Sequence, residues 1–336
     1  MCSFITIIFC AAVGQSAAAA QQPAAPALEE AAVQGLYEGV FTQDGNVEKI
    51  EARLVACGKG TYKLFIRQPL EVKQQRIKAQ LDGKAEGDSI SFSGKTPAGA
   101  WAAVYRQGVL SGNGTPEGSS SQGKFELRRV VRNSPTLGAK PPEGAIILLD
   151  GKNFDAMTKG RLRDGSEQEW KVGEDGGVLI PKGGMRTKAQ FAGSFKLHVE
   201  FKCPLRAEAR DQGRGNSGVY LPNGDEVQVL DSFGMTTYKG GGCGGLYAYK
   251  DPDAFDQFSL ASAPPLQWQT FDIEYRVQQK DGKPIGKPRV TVWHNGIKIH
   301  DNVELNHAAR VGGIFFQDHG NPVEYRNIWL LPLDSQ

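Results

Sequence analysis

The chain has 336 residues, a formal net charge of +2, and 40% hydrophobic against 23% charged residues. Such a composition belongs to a folded chain of one large or two medium domains. The near-neutral balance excludes an electrostatic footprint for nucleic acid, and the 42 glycines and 18 prolines, scattered without a collagen period, read as turns in a strand-rich fold.

The chain opens on an apolar run, Phe4 to Val13, too short to span a bilayer as a helix. Small residues at Ala18, Ala19 and Ala20 follow, then a Gln/Pro/Ala tail. This pattern predicts a signal peptide over residues 1–20, a linker over 21–32 and a secreted or periplasmic protein; a retained membrane anchor is the alternative. No other segment approaches ~18 consecutive apolar residues, so no membrane span is expected after cleavage. Cys2 and Cys10 leave with the signal. Cys57, Cys203 and Cys243 remain; a Cys203–Cys243 disulfide is open to an exported chain, and three buried thiols are the plainer expectation.

Residues 33–133 read as a small antiparallel β domain, a meander or small barrel. Residues 49–56 alternate, with Ile50 and Leu54 on one face and Lys49, Glu51 and Arg53 on the other. Gly58-Lys-Gly60 makes a turn and residues 61–67 resume as a strand. No motif in this region carries chemistry. Residues 134–143, Ser-Pro-Thr-Leu-Gly-Ala-Lys-Pro-Pro-Glu, resist regular structure and read as a Pro/Gly linker.

Residues 144–334 hold more and longer strand signals. Residues 195–201 and 270–277 alternate strictly, and Asn295-Gly296 is a strong hairpin signal between residues 289–293 and 297–300. His294, beside that turn, is expected to be exposed. The whole is all-β: a two-sheet jelly-roll sandwich preceded by the small antiparallel β domain.

Within this region Glu226 and Gln228 share a strand face by the two-residue period. Asp231 lies five positions from Glu226 and joins that face only if the strand bulges near Val229–Leu230. Two carboxylates flanking a polar residue on a sheet face is an arrangement for acid–base work on a glycosidic bond; a solvated polar strand stays open as the alternative. The preceding loop, Gln212-Gly-Arg-Gly-Asn-Ser-Gly218, brings Arg214 and Asn216 as hydrogen-bond donors for sugar hydroxyls, or is simply a tight turn. Gln317 and His319 share a face near the C-terminus, close to Asn321 and Arg326, and His is the side chain that titrates near neutral pH. Tyr220 offers an aromatic surface for a sugar ring. No paired histidine spacing suggests a metal, and no nucleophile elbow is present.

The segments Asn216–Tyr220, Glu226–Ser232, Cys243–Tyr247, Pro264–Asp272, Val290–Gly296 and Gln317–Trp329 together resemble the 3-keto-disaccharide hydrolase domain family, once a domain of unknown function. The resemblance implies a concanavalin-like jelly roll acting on glycosides oxidised at C3, and an oligosaccharide or glycoside as partner. It implies catalytic roles for Glu226, Asp231 and His319, with Arg214, Asn216, Tyr220, Gln228, Gln317 and Arg326 binding substrate. Base and acid fall to Glu226 and Asp231, and polarisation of the ketone to His319 and Arg326. No cofactor is expected, although a structural divalent cation stays open. A lectin-like, non-catalytic module of the same fold is the alternative function. Oligomeric state is not legible.

Overall fold

The computed structural model describes residues 28–69, 72, 77–162, 164–234, 239–253 and 261–333. The expected signal segment therefore lies outside the described residues. Among them, no helix is long and apolar enough to cross a membrane.

The chain is all-β, as its alternating patterns require. Eight antiparallel strands, from Gly35–Gln43 to Gly123–Val130, form a closed barrel because the first pairs with the last. On the Asn46–Gly58 strand, Ile50, Ala52, Leu54 and Ala56 turn into the barrel and are buried with Tyr37, Phe41 and Trp101. Side-chain volume fills the interior, so the barrel encloses a packed core. Asp44 and Gly45, both at positive φ (50° and 80°), make the first hairpin turn.

The second unit is a two-sheet sandwich. One sheet has five strands in the order Met157–Lys159, Met185–Thr187, Phe315–Phe316, Ser217–Tyr220, Glu226–Val229. The other has seven, led in area by Phe195–Lys202, Trp268–Lys280, Lys283–His294 and Glu324–Pro332. Val219, Val227 and Phe316 from the first sheet share one core with Phe201, Phe271 and Tyr325 from the second. Asn295 (φ 49°) and Gly296 (φ 79°) form the hairpin turn that their sequence predicts.

His294 departs from expectation. It is 1% exposed, its Nε2 lies 2.9 Å from Gln269 Oε1, and burial pushes its pKa down to about 3. Strand parity explains this: His294 follows Val290 and Val292 on the inward face. Cys57, Cys203 and Cys243 are free thiols, the last two buried.

The stretch read as a linker is bound tightly to the seven-stranded sheet. Ser134 Oγ lies 2.6 Å from Thr270 Oγ1, Thr136 Oγ1 donates to Asp272 Oδ2 at 2.6 Å, and Gly138 N–H donates to Glu200 Oε1 at 2.6 Å. Beneath it His198 is fully buried, its Nδ1 2.7 Å from Asp272 Oδ1 and its ring stacked on Trp329. Burial opposes charge on His198, but Asp272 and Glu200 outweigh it and raise its pKa. Burial likewise opposes charge on Glu200, yet hydrogen bonds from His198, Asn327 and Arg326 hold its pKa down to about 2.

Barrel and sandwich meet through side chains that point out of the barrel. Val55 and Phe65 enclose Phe233, and the Arg53 guanidinium sits 5.6 Å from the Phe233 ring. Arg210 donates to the Cys57 carbonyl at 2.8 Å, and Ala207 joins the barrel's own core cluster. Truncating a buried Phe to Ala costs about 3–5 kcal/mol. Phe233→Ala is therefore expected to uncouple the two units, giving two calorimetric transitions where the wild type gives one. A single transition at unchanged Tm would contradict that coupling.

Candidate active site on the five-stranded sheet

The site is built by an unbroken antiparallel ladder. Tyr220 pairs with Glu226, Gly218 with Gln228 and Ser217 with Val229, without a register shift. Period two then sends Val227 and Val229 into the core and Glu226 and Gln228 to the opposite, outer face. Phe315 pairs with Tyr220, and Arg186 pairs with Phe315. One cross-strand row therefore runs Thr158, Arg186, Phe315, Tyr220, Glu226.

Glu226 is 7% exposed. Its carboxylate lies over Gly218, where a Cβ would run into Glu226 Oε1. Burial pushes its pKa up to about 7, against the opposing effect of a hydrogen bond from Tyr220. Burial and the neighbouring Glu226 raise the Tyr220 phenol in turn. The Gln317 amide donates to Tyr220 Oη at 3.3 Å, which holds the phenol beside its cross-strand partner Glu226. Gln317 is held in place by its backbone: its N–H donates to the Gly218 carbonyl and its carbonyl accepts from Ser217 Oγ.

Gln228 Nε2 donates to Gln212 Oε1 at 2.7 Å. With its amide turned by 180°, the same nitrogen reaches the Ser217 carbonyl at 2.8 Å and Glu226 Oε1 at 3.1 Å. The second orientation favours the ionised carboxylate. Tyr247 donates its N–H to the Glu226 carbonyl, and its side chain is 47% exposed.

The structure does not bring all the expected residues to this face. Asp231 lies two residues beyond the end of the Glu226–Val229 strand, where its N–H donates to the Arg214 carbonyl at 3.1 Å. It is 2% exposed and its Oδ2 accepts from Arg214 Nη2 at 2.7 Å. Burial raises its pKa and Arg214 lowers it, with burial the larger effect. Arg214 is consumed in this buried pair. Asn216 keeps outer-face parity, but its amide nitrogen is spent on the Gln212 carbonyl and Oε1, at 2.9 and 2.8 Å. Arg326 belongs to the seven-stranded sheet, where it bonds Glu200 Oε2 at 2.7 Å and covers the Trp268 ring at 4.1 Å. Asp231 is thus engaged in a buried pair with Arg214, and Arg326 lies on the other sheet. His319 is exposed, two residues beyond Gln317 and of the same parity.

Gln212 was passed over in the sequence because amides in glycine-rich loops carry no spacing signal; only the fold brings it to Gln228. Among the described residues, no cluster of three or more His, Cys, Asp or Glu is arranged to hold a metal ion.

The domain family defines the class, a carbohydrate-active, hydrolase-like β protein. The chain belongs to the 3-keto-alpha-glucoside-1,2-lyase-like domain family, whose model matches residues 144–331, more than half of its length. Among solved structures, twelve chains match. One is a crystal structure from Parabacteroides distasonis ATCC 8503, provisionally described as a glycosyl hydrolase. It is 31% identical, with a TM-score of 0.48, and the match covers 57% of this chain and 85% of that one. No curated protein matches.

Two outcomes check this geometry. Between pH 4.5 and 7 folded Glu226 holds a proton that the unfolded chain releases, so this group's contribution to stability falls as pH rises through that window. Glu226→Gln is expected to stabilise the protein at pH 8 by up to about 3 kcal/mol and hardly at pH 4, as read by urea denaturation; an equal effect at both pH values would refute the assignment. Arg214→Ala strands the Asp231 charge and is expected to destabilise by about 3–5 kcal/mol. A change below ~1 kcal/mol in the same assay would show that the pair is not a structural element.

Proposed function

We propose that the sandwich cleaves glycosides whose sugar carries a ketone at C3, with Glu226 as the base. The observation that carries this reading is a buried outer-face carboxylate, its pKa pushed up to about 7, with the Tyr220 phenol as its cross-strand neighbour. A base is most effective when its pKa lies near the working pH. The family's description, a 3-keto-alpha-glucoside-1,2-lyase-like domain, supports the substrate class.

The chemistry follows from the ketone. It acidifies the proton on C2, and the leaving oxygen on C1 is β to the carbonyl. Glu226 takes the C2 proton, and the C–H electron pair forms the enolate. The enolate then expels the C1–O bond, leaving an enone and an alkoxide that takes up a proton. Water adding to C1 of the enone completes a net hydrolysis. Once Glu226 is protonated its O–H can bond the Tyr220 oxygen, which releases the Tyr220 hydroxyl to turn toward the enolate. The raised pKa of that phenol keeps it a donor. Gln317 holds Tyr220 in line, Gln228 with its amide turned toward Oε1 biases Glu226 toward its ionised form, and His319, exposed two residues beyond Gln317, is the candidate donor to the leaving oxygen. Asp231 and Arg214 hold the loop after the strand. The signal-like pattern of residues 1–20 supports a reaction outside the cytoplasm.

The decisive assay compares a 3-keto-glucoside with its unoxidised parent. Release from the keto substrate alone is expected, with kcat/KM rising with pH and levelling above about 7 as Glu226 ionises. Glu226→Gln should lower kcat by at least ~10²-fold while sugar affinity stays within a few-fold. Release from the parent alone would sink the keto-specific reading. Sugar binding with no release from either would leave a lectin-like module.

A further inference from the structure

The cross-strand row that ends at Glu226 begins in a different chemistry. Beyond Tyr220 it meets Phe315, whose ring lies 5.6 Å from the Tyr220 ring, and then Arg186, whose guanidinium lies 5.1 Å from the Phe315 ring. Arg310 approaches from the neighbouring loop, its Nε donating to the Pro222 carbonyl at 3.0 Å. Both arginines line a cavity of about 310 Å³ whose wall includes Tyr220, Phe315, Pro222 and Gly224. Among the described residues neither guanidinium is paired with a carboxylate.

These two contrast with arginines that carboxylates neutralise: Arg214 with Asp231, Arg326 with Glu200 and Arg132 with Glu38 and Glu51. A guanidinium offers a planar fork of donors that matches a carboxylate or an oxyanion ester. Stacking Arg186 on Phe315 fixes that fork without using its in-plane donors. Gly224 matters for the same reason, since a Cβ there would run into the Arg310 guanidinium. The Tyr220 and Phe315 rings form an apolar floor between this cavity and Glu226, suited to the flat face of a sugar ring. From Glu226 to Arg186 there are three strand spacings, about 14 Å. That distance exceeds one sugar ring.

We infer that Arg186 and Arg310 form an anion subsite on the same sheet face as Glu226, and that the preferred substrate is a saccharide carrying a carboxylate or sulfate on the unit next to the cleaved bond. This rests on the reading of Glu226 as the reacting end of the row. The rings of Tyr220 and Phe315 carry the intervening sugar, and the two guanidinium groups hold the anionic group by charge-assisted hydrogen bonds.

The test is calorimetric titration of the full chain with a neutral disaccharide, the same disaccharide bearing a uronate on its second sugar, and its sulfate ester. One or both anionic forms are expected to bind at least tenfold more tightly than the neutral form. The preference should weaken as NaCl rises from about 0.05 to about 0.5 M. Tighter binding of the uronate identifies a sugar acid; tighter binding of the ester identifies a sulfated sugar. Arg186→Gln and Arg310→Gln should each reduce the anionic-to-neutral ratio several-fold, and Arg310→Lys should retain more of it than Arg310→Gln. Equal affinity for all three ligands, binding by none, or a ratio unmoved in the variants would overturn the subsite. The two readings fail separately. Turnover of a neutral 3-keto-disaccharide with no anionic preference removes the subsite and leaves the keto chemistry. Anionic preference without keto turnover keeps the subsite and removes that chemistry.

Discussion

One uninterrupted ladder governs the site. Because the Ser217–Tyr220 and Glu226–Val229 strands pair without a bulge, the two-residue alternation decides which side chain reaches which environment. Val227 and Val229 anchor the strand in the sandwich core, and that anchoring forces Glu226 and Gln228 to the other face. Gly218 completes the arrangement from the facing strand, since its missing side chain is the space the Glu226 carboxylate fills. Burial there raises the carboxyl pKa, so the shift follows from packing with no second carboxylate needed. A group held near its midpoint at neutral pH is also a source of instability once ionised, a common trade at reactive sites.

The two carboxylates of this segment have opposite fates because they meet different partners. Asp231, past the end of the strand, is buried in a dry environment where a full-charge partner makes it tolerable; Arg214 supplies it at 2.7 Å. Glu226 meets a phenol and amides instead, which stabilise both its protonation states. The buried pair holds the loop after the strand, whereas the carboxyl in front can exchange a proton.

Much of this was legible in the sequence. The alternation of residues 195–201 and 270–277, the Asn295-Gly296 turn and the face shared by Glu226 and Gln228 all follow from local rules. The condition on Asp231, that it joins Glu226 only across a bulge, was also visible; whether the strand bulges depends on its partner strand and not on its own residues. Arg326 lies seven positions after His319, but the turn through Pro322 carries the chain to the other sheet. His294 shows the converse, since its parity with Val290 and Val292 marked it as buried while its place beside a turn suggested exposure. Gln212, Arg186 and Arg310 are joined to the site only by register and loop closure, and no spacing rule reaches them.

The stretch from Ser134 to Ala139 has the composition of a spacer and the contacts of a structural layer. It seals a buried histidine and two acids on the seven-stranded sheet through Thr136 and Gly138. Asn327 holds it from below through the Ala139 carbonyl. The boundary at which the family match begins, residue 144, is therefore not where the sandwich ends as a physical object. Cutting the chain there would leave Glu200 and Asp272 facing water across a stripped sheet, so an autonomous sandwich has to carry its amino-terminal strap from Ser134 onward.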